Sequence, residues 1–444
     1  MKYKFGTDGI RGKANETLPA TIAYRLGFYL GLYFSKKQKG RIIIGKDTRL
    51  SSDMLEAAIT AGVTAGGCDI YQIGICPTPC VSYLVREEEF SCGIMISASH
   101  NPFYDNGIKV FDAIGNKLEK EVEQEIEKYL NSSDELPGKV DNEIGVVMKM
   151  DNGVDKYLTW LEEIMPLNLA GYNIAIDAAN GSATVSALKL LSQLKANCDI
   201  INNTPDGLNI NTNCGSTHPE DLIKMVKQGN YDIGFAFDGD ADRLLAVTRD
   251  GQLVDGDKII YCCGKYLKEK EELPANTVVT TVMANLGLFR KLEDEQINCE
   301  VTQVGDKYVY ECMQKENYVL GGEQSGHIIF SKYATTGDGL LTALMLLMVM
   351  INTKKSLSEL TDDLFVYPQL LVNVPVKDKE KALRDQDILS LCGKIETALG
   401  KDGRILVRPS GTEPLVRVMV EAKTAELCNK HVYEVVDLIN AKAL

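Results

Sequence analysis

A serine, a histidine and a lysine follow a short apolar run in the first quarter of the chain. Residues 93–96 are apolar and predict a buried strand. Small polar residues and an Asn-Pro pair come next, which indicates a tight turn that presents Ser99 and His100. Ser99 could act as a covalent nucleophile, with His100 or another base moving the proton, and Lys109 adds a cation ten positions later. A polar turn without chemistry is the alternative interpretation.

Three aspartates alternate with small residues after a second apolar run. Residues 231–237 predict a strand, and Asp238, Asp240 and Asp242 follow it, with Arg243 next. Closely spaced carboxylates repel one another, so this loop needs a compensating cation. Their oxygen atoms suit Mg²⁺. An EF-hand is excluded because its sixth and twelfth positions would be Arg243 and Arg249 instead of Gly and Glu.

Two further polar segments suggest binding of a sugar and of a phosphate. In residues 322–327, Glu323, Ser325 and His327 offer a carboxylate, a hydroxyl and an imidazole between glycines. These groups suit sugar hydroxyls, and His327 could act as an acid or a base. Near the N-terminus, the glycine-rich segment FGTDGIRG predicts a loop in which Arg11 binds a phosphate.

The segment RPSGTEP predicts a second phosphate-binding turn near the C-terminus. It places a guanidinium group, two hydroxyls and backbone N–H groups in one turn, contributed by Arg408, Ser410, Gly411 and Thr412. Residues 415–421 predict the strand that follows. Alternation along this strand places valines on one face and Arg417 on the other, so we expect Arg417 to face the same anion.

The elements that must position these groups are alternating strands and helices. This alternation predicts βαβ units and mostly parallel sheets, in which ligands bind where strands end. Breaks in the pattern predict four domains, over residues 1–150, 151–252, 253–364 and 365–444, of which the last is the smallest. The polar loops that begin at Ser97, Asp238 and Gly322 are predicted to follow strands, and the RPSGTEP turn is predicted to precede one.

Composition and charge exclude several classes of protein. The length of 444 residues allows about three domains and several buried cores. A net charge of −14 argues against nucleic-acid binding, which depends on clustered Lys and Arg. Twelve cysteines without a CxxC pair predict reduced, mostly buried thiols in a cytoplasmic protein. We expect no membrane association, because the N-terminus lacks a signal segment and the longest apolar run is too short to span a bilayer.

One mechanism, phosphoryl transfer on a sugar phosphate, uses all of these groups. Ser99 would carry the phosphoryl group, Mg²⁺ on the three aspartates would neutralise it, and residues 323–327 would hold the sugar. Such a reaction needs positioning and charge stabilisation more than covalent work by the protein. A metal-dependent sugar phosphatase and a non-enzymatic sugar-phosphate sensor are the alternatives from other classes.

The sequence resembles the α-D-phosphohexomutase superfamily over essentially the whole chain. The motifs that carry the resemblance occur in the family's order: FGTDGIRG, ISASHNPFYDNGIK, NINTNCGSTHPE, AFDGDADR, GGEQSGH and RPSGTEPLVRVM. The resemblance implies an α/β fold of three similar mixed-sheet domains plus a smaller C-terminal α+β domain around a central cleft. The forms of the first three motifs are most similar to those of members that act on glucosamine phosphates.

The resemblance also implies roles for single residues. Ser99 would be phosphorylated in the active enzyme, and its phosphate would complete the Mg²⁺ shell of the three aspartates. Arg243 and Arg11 would bind the phosphoryl group, flanked by His100 and by Lys109, the stronger candidate for proton or charge work. Substrate would be bound by the sugar loop and the C-terminal segment, that is by Glu323, Ser325, His327, Arg408, Ser410, Gly411, Thr412 and Arg417.

The implied reaction interconverts glucosamine 6-phosphate and glucosamine 1-phosphate through a 1,6-bisphosphate, and so supplies UDP-N-acetylglucosamine synthesis. An enzyme that acts on neutral hexose phosphates is the alternative within the same class. We expect a cytoplasmic monomer or homodimer whose partner is a small sugar phosphate, with no nucleic-acid or membrane partner.

Overall fold

The computed structural model describes residues 3–36, 38–410 and 414–442. The chain divides into two units, one of Met1–Met283 with Ile297–Asp362 and the other of Ala284–Gln296 with Asp363–Leu444. The domain boundaries predicted at residues 150, 252 and 364 stay predictions. In the part of the chain that the structure describes, no helix is long and apolar enough to cross a membrane.

The first sheet has six strands in the order β1-β5-β4-β2-β3-β6. The elements are β1 Ile10–Lys13, α1 Ala20–Phe34, β2 Arg41–Lys46, α2 Leu50–Ala65, β3 Asp69–Ile75, α3 Thr78–Glu87, β4 Cys92–Ile96, β5 Asp105–Phe111, α4 Lys120–Leu130 and β6 Val147–Lys149. The strands β4, β2, β3 and β6 are parallel to one another. The strand β5 pairs antiparallel with both β1 and β4. The prediction of a loop at Arg11 is wrong in part, because Ile10 is buried and pairs with Ile108 in the sheet.

The second sheet has five strands in the order β11-β10-β9-β7-β8. The elements are α5 Gly153–Ile164, β7 Asn173–Asp177, α6 Ala187–Gln193, β8 Asn197–Ile201, α7 Glu220–Gln228, β9 Ile233–Phe237, β10 Leu244–Thr248 and β11 Leu253–Val254. All residues of β9 are buried, in agreement with their apolar character. The strand β9 turns back into antiparallel β10 through residues 238–243, so the aspartates lie at a turn between two buried strands.

The third sheet has four strands in the order β13-β12-β14-β15. The elements of this stretch of chain are α8 Gly256–Glu269, β12 Thr277–Thr281, α9 Leu286–Asp294, β13 Asn298–Thr302, α10 Asp306–Glu316, β14 Leu320–Gly322, β15 Ile328–Phe330, α11 Gly339–Thr353 and α12 Leu357–Thr361. The turn between antiparallel β14 and β15 is the predicted sugar loop. The apolar helix α11 is almost wholly buried, and Asp338 caps its N-terminus by accepting from the backbone N–H of Leu341 at 2.9 Å.

The second unit contains a three-stranded antiparallel sheet in the order β16-β18-β17. Besides α9, its elements are β16 Gln369–Pro375, α13 Lys379–Arg384, α14 Gln386–Leu399, β17 Gly403–Pro409, β18 Leu415–Ala422 and α15 Ala425–Ala441. Short 3₁₀ helices complete the described chain at Asp141–Glu143, Ser182–Val185, Gly215–Thr217, Pro274–Asn276 and Gly400–Asp402. Arg408 lies on β17 and not in the predicted turn, because residues 403–409 form a strand that the sequence reasoning missed.

The predicted fold class is confirmed. Three mixed sheets with helices form the larger unit, and a smaller antiparallel sheet with three of its own helices follows near the C-terminus. All twelve cysteines are free thiols, and eight of them are buried, as the sequence predicted.

Candidate active site

The turn after β4 holds Ser99 in a backbone conformation that is unusual for a serine. Its φ angle is 52°, in the left-handed region, which costs a non-glycine residue about 1–3 kcal/mol. Hydrogen bonds hold the turn in place. The Ser99 N–H donates to Ser97 Oγ at 2.8 Å, and the Ser99 carbonyl accepts from Arg49 at 2.8 Å and from Asn211 at 2.9 Å. The surrounding structure thus imposes the strained turn that presents the Ser99 hydroxyl.

The Ser99 hydroxyl meets the aspartate loop. Ser99 Oγ donates to Asp238 Oδ2 at 2.6 Å, and both residues are fully buried. His100 Nδ1 lies 3.5 Å from the same hydroxyl, a weak contact by comparison. Gly239 permits the approach of the two loops, because a Cβ atom there would lie 2.6 Å from the Ser99 carbonyl oxygen. The structure therefore brings together two motifs that are 139 residues apart.

The three aspartates form a buried cluster with oxygen atoms within 4.8 Å of one another. Burial, followed by the charges of Asp242 and Asp240, raises the pKa of the Asp238 carboxyl well above its ordinary value. Burial also acts to raise the pKa of Asp240, but the charge and hydrogen bond of Lys109, together with the hydrogen bond of Thr78, lower that pKa to about 2. Asp240 Oδ1 and Asp242 Oδ1 are buried without a hydrogen-bond partner among the described residues. Such unpartnered carboxylate oxygens fit a hard divalent cation.

Lys109 lies on β5 and binds carboxylates on both sides. Its Nζ atom lies 2.7 Å from Asp240, 2.9 Å from Asp242 and 3.0 Å from Asp8. Burial acts to lower the pKa of this ammonium group, but the three aspartates raise it well above its ordinary value. Lys109 is therefore held in its charged form, which favours the electrostatic role over that of a proton acceptor.

Two guanidinium groups and a neutral imidazole complete the surroundings of Ser99. Arg243 Nε lies 3.9 Å from Asp242 Oδ1, and Arg11 forms an ion pair with Asp8. The Nε atoms of both arginines are buried without a hydrogen-bond partner in the described chain. Burial, with the charges of Arg243 and Arg11, lowers the pKa of His100 to about 3. His100 is therefore neutral, and the arginines offer N–H donors that suit a phosphoryl group.

The predicted sugar loop lies beside the aspartate loop. The two loops are joined by a hydrogen bond from the Leu244 N–H to the Gly326 carbonyl at 3.0 Å. Glu323 Oε1 accepts from the Gly305 N–H at 3.1 Å, and Ser325 is exposed. His327 is buried, its Nε2 accepts from the Gly337 N–H at 3.2 Å, and its Nδ1 has no hydrogen-bond partner among the described residues. The free ring nitrogen of His327 is therefore Nδ1.

In the second unit, two arginines lie side by side on neighbouring strands. Arg408 on β17 is directly opposite Arg417 on β18, and both side chains are half-buried. Burial, followed by the charge of Arg417, lowers the pKa of Arg408. Like charges directly opposite each other destabilise a sheet, so this pair suits an anion. Ser410 is buried next to β17, whereas Gly411 and Thr412 lie outside the described residues.

Four domains of one family match this chain in order. Phosphoglucomutase/phosphomannomutase α/β/α domain I matches residues 2–137, domain II residues 155–251, domain III residues 255–367 and the C-terminal domain residues 371–438. The chain belongs to the phosphoglucomutase/phosphomannomutase family. The resemblance to the phosphohexomutases that the motifs predicted is thereby confirmed.

Curated relatives and solved structures of the family match over the full length. Phosphoglucosamine mutase of Lachnospira eligens is 51% identical over 99% of both chains, and that of Bacillus subtilis is 47% identical over 99% of both. A phosphoglucomutase/phosphomannomutase family protein of Burkholderia thailandensis has the same fold, with a TM-score of 0.81, 24% identity and coverage of 100% of this chain and 98% of that one. Aspergillus fumigatus N-acetylphosphoglucosamine mutase, solved with GlcNAc-6P and magnesium, has a TM-score of 0.72, 18% identity and coverage of 100% and 96%.

Sequence reasoning about this family member missed several residues of the site. Asp8 and Asn211 lie inside the recognised motifs FGTDGIRG and NINTNCGSTHPE. Their place in these motifs could have marked them as residues of the site. Thr78, which donates to Asp240 at 2.5 Å, and Arg49 carry no such signal in the sequence. Thr78 contacts a residue 162 positions away in the sequence, and Arg49 contacts one 50 positions away, so both roles depend on tertiary contacts.

Proposed function

We propose that this protein is a phosphoglucosamine mutase, an isomerase that interconverts glucosamine 6-phosphate and glucosamine 1-phosphate. Full-length relatives of that name at about half identity support the substrate. The observation that carries the chemistry is the Ser99 hydroxyl, 2.6 Å from Asp238 in a buried aspartate cluster that is flanked by Lys109 and two arginines. This arrangement fits a serine that carries a phosphoryl group.

In the proposed reaction, a sugar hydroxyl oxygen attacks the phosphorus atom on Ser99, and the bond from Ser99 Oγ to phosphorus breaks. The proton of the sugar hydroxyl passes to a base, for which the neutral His100 is our candidate. The 1,6-bisphosphate formed returns its other phosphoryl group to Ser99. Arg11, Arg243 and Lys109 hold positive charge where the transferring group develops negative charge. A magnesium ion bound by the three aspartates, with the phosphate of Ser99 as a further ligand, would neutralise charge and act as a Lewis acid.

The remaining site residues are proposed to bind the sugar and its second phosphate. Glu323 and Ser325 would hold sugar hydroxyls, with His327 Nδ1 as a further donor. In the second unit, Arg408, Ser410 and Arg417 would bind the phosphate that is not being transferred, together with Gly411 and Thr412. Paired guanidinium groups suit this task because they bind phosphate in a bidentate manner.

The wider properties of the protein are also proposals. The domain boundaries at residues 150, 252 and 364, a cytoplasmic location and a monomeric or homodimeric state follow from the sequence patterns and the resemblance to the family. We expect a small sugar phosphate as partner and no nucleic acid, because the net charge is −14.

Turnover of several substrates tests this proposal. We expect glucosamine 6-phosphate to be isomerised with a higher kcat/KM than glucose or mannose phosphates, in the presence of Mg²⁺. If glucosamine 6-phosphate is the poorest of these substrates, the protein is instead a mutase for neutral hexoses. If free phosphate accumulates and no isomer forms, it is a sugar phosphatase.

A further inference from the structure

Lys117 is a partly buried lysine near the site that no motif indicated. It follows β5, and its backbone forms a bridge with Phe111. Its side chain is 17% exposed and donates to the carbonyl oxygen of Thr7 at 2.6 Å. The same ammonium group binds two carboxylates, Asp8 at 3.2 Å and Asp306 at hydrogen-bond distance. A single cation therefore joins the N-terminal loop to the start of α10.

The Asp8 end of this contact leads to the phosphoryl-transfer groups. Lys117 binds Asp8 Oδ1, whereas Lys109 lies 3.0 Å from Asp8 Oδ2 and Arg11 pairs with that same oxygen. Lys109 in turn binds Asp240 and Asp242. The orientation of the Asp8 carboxylate, on which Lys109 and Arg11 depend, is thus set in part by Lys117.

The Asp306 end leads to the sugar loop. Asp306 Oδ2, which accepts from Lys117, lies 3.6 Å from His327 Nε2. The neighbouring Gly305 N–H donates to Glu323 Oε1 at 3.1 Å. The approach to His327 is not a hydrogen bond, because that Nε2 accepts from the Gly337 N–H. The link from Asp306 to the sugar loop is therefore the one from its neighbour Gly305 to Glu323.

We propose that Lys117 is a positioning residue that couples the two halves of the site. Its ammonium group holds Asp8 and Asp306. It thereby helps to fix Lys109 and Arg11 on one side and, through Gly305 next to Asp306, Glu323 on the other. This inference rests on the proposed mutase function. Its physical basis is that a partly buried ion pair which loses its cation leaves two neighbouring carboxylates uncompensated, so they move apart.

The test compares Lys117→Met with a matched control, Lys46→Met. Lys46 has a side chain 15% exposed and also binds two carboxylates, Asp53 and Glu56, at the end of β2. Both variants remove a partly buried lysine from a pair of carboxylates, so we expect both to lower the free energy of unfolding. Only Lys117→Met should lower kcat for glucosamine 6-phosphate, by about 10- to 100-fold, as for other residues that orient reacting groups. We expect KM to rise as well, because Lys117 helps to position Glu323, to which we assign substrate binding.

Further variants separate coupling from a general loss of structure. Lys117→Arg keeps the charge and should recover most of the lost kcat. The double variant Lys117→Met with Asp306→Asn should lose no more activity than the worse single variant, because both break the same bridge. If Lys117→Met keeps a kcat like that of Lys46→Met, or if the two losses multiply in the double variant, the proposal is wrong.

The two proposals fail in different ways. If wild-type protein does not isomerise glucosamine 6-phosphate, the mutase function is wrong. If wild-type protein turns over but Lys117→Met is as active as the control, only the positioning role is wrong. Should Lys117→Met fail to fold, two milder variants give the same comparison of kcat. Lys117→Arg retains the positive charge of the contact, and Asp306→Asn retains the size of the Asp306 side chain.

Discussion

The site of Ser99 and the arginine pair of the second unit are both incomplete, but in opposite ways. Around Ser99, Lys109 and two arginines lie beside three buried aspartates, yet two of the aspartate oxygen atoms have no hydrogen-bond partner among the described residues. In the second unit, Arg408 and Arg417 lie opposite each other on half-buried strands. The first region needs a cation and the second an anion.

The two regions differ in burial, and burial determines how rigidly their charged groups are held. Groups that are fully buried and held by several hydrogen bonds keep a fixed geometry, which is what stabilisation of a transition state requires. Groups on half-buried strands are in contact with solvent and bind or release a ligand more readily. We therefore expect changes near Ser99 to lower kcat and changes at the arginine pair to raise KM.

The largest effect is expected for Ser99→Ala. This variant removes the oxygen atom that carries the phosphoryl group, so isomerisation should fall by at least about a thousandfold. The turn is held by backbone contacts and by Ser97, so the circular dichroism spectrum should not change. Full isomerisation activity of Ser99→Ala would show that another group carries the phosphoryl group. Loss of the folded spectrum would contradict the view that this hydroxyl serves chemistry alone.

Asp240→Asn should have the next largest effect. It removes one charge that Lys109 compensates and one candidate metal ligand, so kcat should fall by about 100- to 1000-fold. The concentration of Mg²⁺ needed for half-maximal activity should rise, and Mn²⁺ binding followed by calorimetry should weaken in parallel. Unchanged metal affinity would remove Asp240 from the proposed ligand set.

Arg417→Ala tests the other region. A hydrogen bond to a charged group is worth about 1.5–3 kcal/mol, so KM for glucosamine 6-phosphate should rise by about 10- to 150-fold. We expect kcat to change less than about threefold, and metal affinity not at all. Lys423→Ala is the control. Lys423 is an exposed lysine of the same unit that pairs with Asp402, and its substitution removes the same charge as Arg417→Ala. An equal rise of KM in both variants would show an effect of net charge only.

The smallest expected effect is a change of stability with pH that is due to Asp338, a buried carboxylate of the first unit without a strong cation partner. Burial raises the pKa of Asp338 to about 6, in contrast to Asp240. Because the folded pKa lies above the unfolded one, Asp338 stabilises the fold fully below about pH 4, and this contribution of up to about 3 kcal/mol is lost as the pH rises through 6.

Urea unfolding at pH 4 and pH 7 checks the Asp338 prediction. The difference between the two free energies of unfolding should be smaller in Asp338→Asn than in wild type, because the amide does not titrate. An identical difference in both proteins would show that the pKa of Asp338 is not raised.

Much of the site near Ser99 could be predicted because its functional residues lie in short sequence motifs that directly follow apolar strands. Apolar strands that end abruptly in Ser99 and in Asp238 predicted both the strands and the loops, and the structure has them there. By contrast, the strand that carries Arg408 is mixed in polarity and begins with a glycine, so its pairing with β18 was missed. The contacts of Lys117 and the neutral state of His100 depend on groups distant in sequence, which no local pattern reports.

The most direct test of the central claim is the intact mass of the purified protein, followed by fragmentation to locate any added group. We expect the mass of one phosphate to map to Ser99, and we expect it to exchange into the sugar product during a single turnover. A fully active protein in which Ser99 never carries phosphate would contradict the proposed mechanism.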